Sequence, residues 1–85
     1  MTRIEKLLKE SNGKKTNFYD EVCEKVKSIA PTYSARVAQY VNGKADAPTK
    51  VAVAMLEIAN ESYGGNFEYV QDLFEEVEAP AQTGK

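Results

Sequence analysis

Apolar residues recur along this chain at helical spacing, in five stretches separated by glycine, proline and short polar breaks. The first opens on Thr2-Arg-Ile-Glu5, a capping-box spacing in which Thr2 accepts a backbone N–H and Glu5 reaches back to the cap. Ile4, Leu7 and Leu8 form its stripe, and Ser11-Asn12-Gly13 supplies a left-handed stop. In the second stretch Asn17 is placed to cap and Asp20 to meet the positive end. Phe18, Val22, Cys23, Val26, Ile29 and Ala30 then carry an apolar face down to Pro31. Pro31 lacks an N–H and clashes with the preceding turn, so a new helix starts beyond it, capped by Thr32 and running over about 33–41. There Val37, Tyr40 and Val41 face a core while Ser34, Arg36 and Gln39 project elsewhere, and Gly43 ends the helix. By the same spacing Tyr40 is a core or dimer-contact residue.

The fourth stretch, from Pro48 to Tyr63, spreads Val51, Val53, Met55, Leu56, Ile58 and Ala59 nearly all round the axis, the pattern of a buried central helix. Gly64-Gly65 breaks it. Asn66 is then placed to cap a last helix with Phe67, Val70, Leu73, Phe74 and Val77 on one side and acids on the other. The expectation is an all-α, compact five-helix bundle over residues 1–78, with a disordered tail over 79–85. A short helix with a polar outer face, braced by a preceding helix across a tight break, is how a helix-turn-helix offers side chains to a DNA major groove; here that motif spans about 18–42.

Four features in a row carry a resemblance: Val37 as the buried position of the third helix, the Asn42-Gly43-Lys44 turn, the Pro48-Thr49 helix start, and the apolar run from Val51 to Ala59. Together they resemble the helix-turn-helix of the phage repressor and Cro family, also called Xre-like. That family usually has a small Ala and a Gly where this chain has Lys27 and Pro31, so either the turn is longer or the motif geometry is altered. The resemblance implies a double-stranded DNA-binding transcriptional regulator of a phage or other mobile element, acting as a homodimer. It also implies that the loop after the third helix touches the sugar-phosphate backbone, through Lys44 and through Thr49 and Lys50 at the next helix start.

Residue chemistry assigns the remaining roles. Tyr33, Ser34, Arg36 and Gln39 are candidate base readers, since Gln matches adenine and Arg matches guanine. Lys15 and Lys27 join Lys44, Thr49 and Lys50 as candidate phosphate contacts. Phe67, Val70 and Phe74 are candidate dimerisation residues, because the terminal stripe is large for so small a domain; packing back on the first helix is the alternative.

Charge sharpens this picture. The net charge is −2, yet residues 1–50 carry ten Lys/Arg against six acids, and residues 51–85 one Lys against seven acids. A basic first half suits phosphate; the acidic second half equally suits a solvated helix face or a protein partner. Hence the rival expectation is a non-enzymatic interaction module, or a structural component of a mobile element, that keeps the scaffold without reading DNA. Histidine is absent and Cys23 is the single cysteine, which leaves no zinc-finger spacing and no imidazole base; Cys23 is expected in the core. Glu75, Glu76 and Glu78 lack a calcium-loop spacing and read as solvated charge. No phosphate-cradling glycine loop or nucleophile elbow is present, so no enzyme activity and no cofactor are expected. With 42% hydrophobic residues and no long apolar run, a soluble cytoplasmic protein is expected.

Overall fold

The computed structural model describes residues 1–11 and 15–77, with the side chains of Lys15 and Thr16 excepted. Five helices follow one another: α1 (Arg3–Glu10), α2 (Lys15–Val26), α3 (Ser34–Asn42), α4 (Thr49–Ser62) and the single turn α5 (Val70–Leu73). The all-α bundle expected from the pattern is what forms. The expected stop at Asn12-Gly13 and the tail 79–85 lie outside the described residues.

Thr2 caps α1 from extended backbone, its Oγ1 accepting the Glu5 N–H at 3.2 Å. The same hydroxyl donates to the Val41 carbonyl at 2.6 Å, one of the orphan acceptors at the end of α3. Around it residues 1–3 meet residues 75–77. Thr2 pairs with Glu76 in an antiparallel bridge, flanked by Arg3 N–H to Glu75 O at 2.9 Å and Val77 N–H to Met1 O at 2.8 Å. Thr2 is accordingly the one buried polar residue of the described chain, at 1% exposure.

Helix α2 already includes Asn17, so Asn17 caps nothing: a side-chain cap needs extended backbone, and here the backbone is helical. The helix also stops earlier than its stripe suggests. The residue before a proline avoids the helical region, and Lys27–Ile29 leave α2 as a turn held by Ile29 N–H and Ala30 N–H to the Val26 carbonyl. Ile29 therefore rotates out of the stripe and stands 58% exposed. Thr32 likewise does not cap α3. That position falls to Tyr33, whose carbonyl accepts from Arg36 and Val37 while its side chain makes no cap bond.

Gly43 closes α3 at φ 80°, in a Schellman pattern with Gly43 N–H to Tyr40 O and Lys44 N–H to Gln39 O. A β-carbon on Gly43 would meet the Thr2 methyl at 3.4 Å, so the turn and the α1 cap are in contact. Helix α4 buries Val51, Met55, Ile58 and Ala59 against α2, but not all round: Leu56 is half-buried and Val53 is 40% exposed.

The last stripe is not one helix. The Asn60 amide takes both backbone groups of Phe67, accepting its N–H and donating to its carbonyl at 2.9 Å each, which holds residues 64–69 irregular. Asn66 thus caps nothing. Helix α5 starts only after Tyr69, whose N–H is accepted by the Asp72 carboxylate at 3.1 Å.

Replacing Thr2 by Val keeps the shape and removes the hydroxyl, leaving the Val41 carbonyl and the Glu5 amide short of a partner. We expect a loss of about 2–3 kcal/mol in urea unfolding, against about 1 kcal/mol for Thr2→Ser, which keeps the hydroxyl. Gly43→Ala forces a side chain into the left-handed region and against Thr2. It should cost about 1–2 kcal/mol by the same measurement.

Candidate nucleic-acid interface

With Val37, Tyr40 and Val41 buried, helical spacing turns Ala35, Gln39 and Asn42 to the opposite side of α3, and all three are exposed. Arg36 flanks this face. Its Nη1 donates to Gln39 Oε1 at 3.1 Å, and its guanidinium lies 5.7 Å from the centre of the Tyr40 ring, a cation–π contact that lays the side chain along the helix. Tyr33, at the helix start, is 64% exposed.

Ser34 behaves differently. Its hydroxyl donates to Asp20 Oδ1 on α2 at 2.7 Å, which fixes α3 to its brace and places a carboxylate beside the first turn of the helix. Tyr33, Arg36 and Gln39 thus come together on one exposed element, while Ser34 is spent on the α2–α3 joint. Residue type alone does not mark Ala35, which is not polar, or Asn42, which reads as part of the Asn-Gly-Lys turn; projection outward from the three buried residues finds both.

The cations divide in the same way. Lys25 is paired with Glu57 at 3.4 Å and Lys27 with Glu24 at 2.8 Å, and Glu24 holds the Lys27 ammonium above its ordinary pKa, by hydrogen bond first and charge second. Arg36, Lys44 and Lys50 are exposed and have no carboxylate at ion-pair distance among the described residues. Thr49 is exposed as the first residue of α4. The Lys15 side chain lies outside the described residues.

The residues assigned to dimerisation do not share one surface. Phe67 is buried, 7% exposed, with the Arg3 guanidinium 5.1 Å from its ring centre. Val70 and Phe74 are half-buried and line a cleft of about 410 Å³ with Thr2, Ala45, Asp46 and Ala52. No group of acids, histidine and cysteine that could hold a metal ion occurs among the described residues, and no helix there is long and apolar enough to cross a membrane.

Comparison with models of protein families, with curated proteins and with solved structures gives no match for this chain, so its surface is read from its own chemistry.

Cys23 sits half-buried behind Ser34 and Asp20. Burial raises its thiol pKa, the Asp20 charge adds to the rise, and a hydrogen bond with Ser34 opposes it. Folding thus favours the neutral thiol: this contribution to stability is full below the unfolded thiol's pKa and is lost as the pH rises through the folded value. Alkylation by iodoacetamide at about pH 8 should be slower in the native protein than in urea, because the thiolate is the reactive form.

Proposed function

We propose that this chain is a sequence-specific regulator that binds double-stranded DNA by laying α3 in the major groove, in the manner of the repressor and Cro-like proteins that residues 37–59 resemble. The observation that carries this reading is the composition of the free face of α3. It offers two amides and small apolar groups with an arginine on its flank, and Lys44 and Lys50, neither of them in an ion pair, follow it. In this reading Gln39 and Asn42 meet base edges, while Arg36 on the flank of α3 meets a phosphate, as do Lys44, Lys50 and Thr49 beside the α3–α4 loop. Ser34 orients α3 through Asp20 rather than touching a base. The protein acts as a homodimer on a two-fold site, within the control circuit of a phage or other mobile element, in the cytoplasm.

A second reading is favoured by Asp20. A carboxylate at the first turn of α3 repels phosphate where helix-turn-helix proteins commonly receive it, which suits a scaffold that holds a protein partner instead.

The salt dependence of duplex binding decides between a light and a heavy phosphate clamp. Phosphate contacts by Arg36, Lys44 and Lys50 give a slope of log affinity against log salt of about −3 per chain, and Lys44→Gln or Lys50→Gln should each make it shallower by about 1. A slope that corresponds to about eight phosphates per chain would contradict this assignment. Absence of duplex binding at low salt would turn the assignment to the second reading.

A further inference from the structure

We infer that the face of α3, with the turn that leads into it, is built to read A·T base pairs in the major groove. Gln39 and Asn42 match the adenine edge, and Ala35, Tyr33 and Ile29 match the thymine methyl. This rests on the reading of α3 as the helix that enters the groove, and it names what that helix selects.

In the major groove adenine shows an acceptor beside a donor, which a side-chain amide satisfies with its own donor and acceptor. Thymine adds a methyl group that apolar side chains pack against. Guanine shows two acceptors and calls for a free cation, and cytosine shows a donor and calls for a carboxylate. Helix α3 carries two outward amides, Gln39 and Asn42, and no carboxylate at all. Its one cation, Arg36, is bonded to Gln39 and lies against Tyr40 on the flank. Bonding to Arg36 leaves the Gln39 amide both protons of its NH₂ and a second lone pair on Oε1.

The apolar part is held just as firmly. Ile29 and Tyr33 are the two large hydrophobic residues of the α2–α3 connection, 58% and 64% exposed. They stand four residues apart across Pro31, within about 14 Å of one another along the chain. The Ile29 N–H is tied to the Val26 carbonyl, and the Tyr33 carbonyl holds the first amides of α3. Both side chains are therefore carried on fixed backbone, at the end of the helix that also presents the Ala35 methyl. Exposed apolar groups next to outward amides, with the one cation of α3 set on its flank and no acid among its residues, match A·T pairs and leave G·C pairs unsatisfied.

The test uses the full chain. A random duplex pool is selected at about physiological salt, and the enriched duplex is remade with uracil for thymine, which removes only the methyl, or with 7-deazaadenine, which removes the N7 acceptor. We expect an A·T core, and about a tenfold loss of affinity at one or more positions for each replacement. The double variant Ile29→Ser, Tyr33→Ser changes exposed side chains that make no cap bond, so it should fold. It should lose most of the uracil effect and keep the 7-deazaadenine effect, while Gln39→Ala should do the reverse.

A G·C core, or a tightly bound duplex indifferent to both replacements, would overturn the inference and leave DNA binding standing. A double variant with undiminished uracil sensitivity would overturn the part given to Ile29 and Tyr33. No enrichment and no binding at low salt would overturn the DNA reading itself, and this inference with it.

Discussion

One hydroxyl joins the end of α3 to the start of α1. Thr2 Oγ1 accepts from the first turn of α1 and donates to the last turn of α3, so one buried group satisfies an orphan donor of one helix and an orphan acceptor of another. The antiparallel pairing of residues 1–3 with residues 75–77 closes over it, and the left-handed Gly43 turn rests on its methyl. The exit of α3 is therefore fixed by a bond across 39 residues of sequence, itself covered by pairings across more than seventy, not by the helix-turn-helix alone. Its entry is fixed by Ser34 and Asp20. A short helix of nine residues has little stability of its own, and tying both ends is what lets its outward face be presented at a constant angle.

Charge is distributed so that this face stays open. Lys25 of α2 pairs with Glu57, Lys27 just beyond it with Glu24, and Arg3 with Glu75, whereas Arg36, Lys44 and Lys50 have no acid at ion-pair distance among the described residues. The pairs are exposed and each contributes little stability, but they offset the charge of Lys25 and Lys27, while Arg36, Lys44 and Lys50 keep theirs. Net charge thus says less about a binding face than the map of which cations are already paired.

Much of the fold was legible because helical periodicity is strong where apolar residues are buried on one side. The sequence shows Ile4 and Leu8, the Val37–Tyr40–Val41 face, the Gly43 stop and the buried part of α4 at their observed places. Errors cluster where a local rule met a longer-range bond. Ile29 continues the α2 stripe perfectly well by spacing, yet Pro31 unwinds the chain before it. Phe67 fits the terminal stripe, yet the Asn60 amide seven residues earlier claims its backbone and sends its ring into the core. Asn17, Thr32 and Asn66 are good capping residues that the backbone does not place at caps. The connection from α2 to α3 runs over residues 27–33, with Pro31 inside it. The candidate surface was half legible. Arg36, Gln39 and Lys44 followed from residue type, while Ala35 and Asn42 needed the buried side of α3 as a reference. That Ser34 would be taken by Asp20 required the crossing of two helices.

The most direct test of whether α3 is the working face is to follow the backbone amide resonances of the isotope-labelled chain as duplex DNA is added. The account predicts that the largest shifts fall on residues 33–44 and on Thr49 and Lys50, with the acidic segment from Glu57 to Glu76 nearly unmoved. Shifts confined to that acidic segment or to the cleft beside Phe74, or none at any duplex concentration, would contradict it.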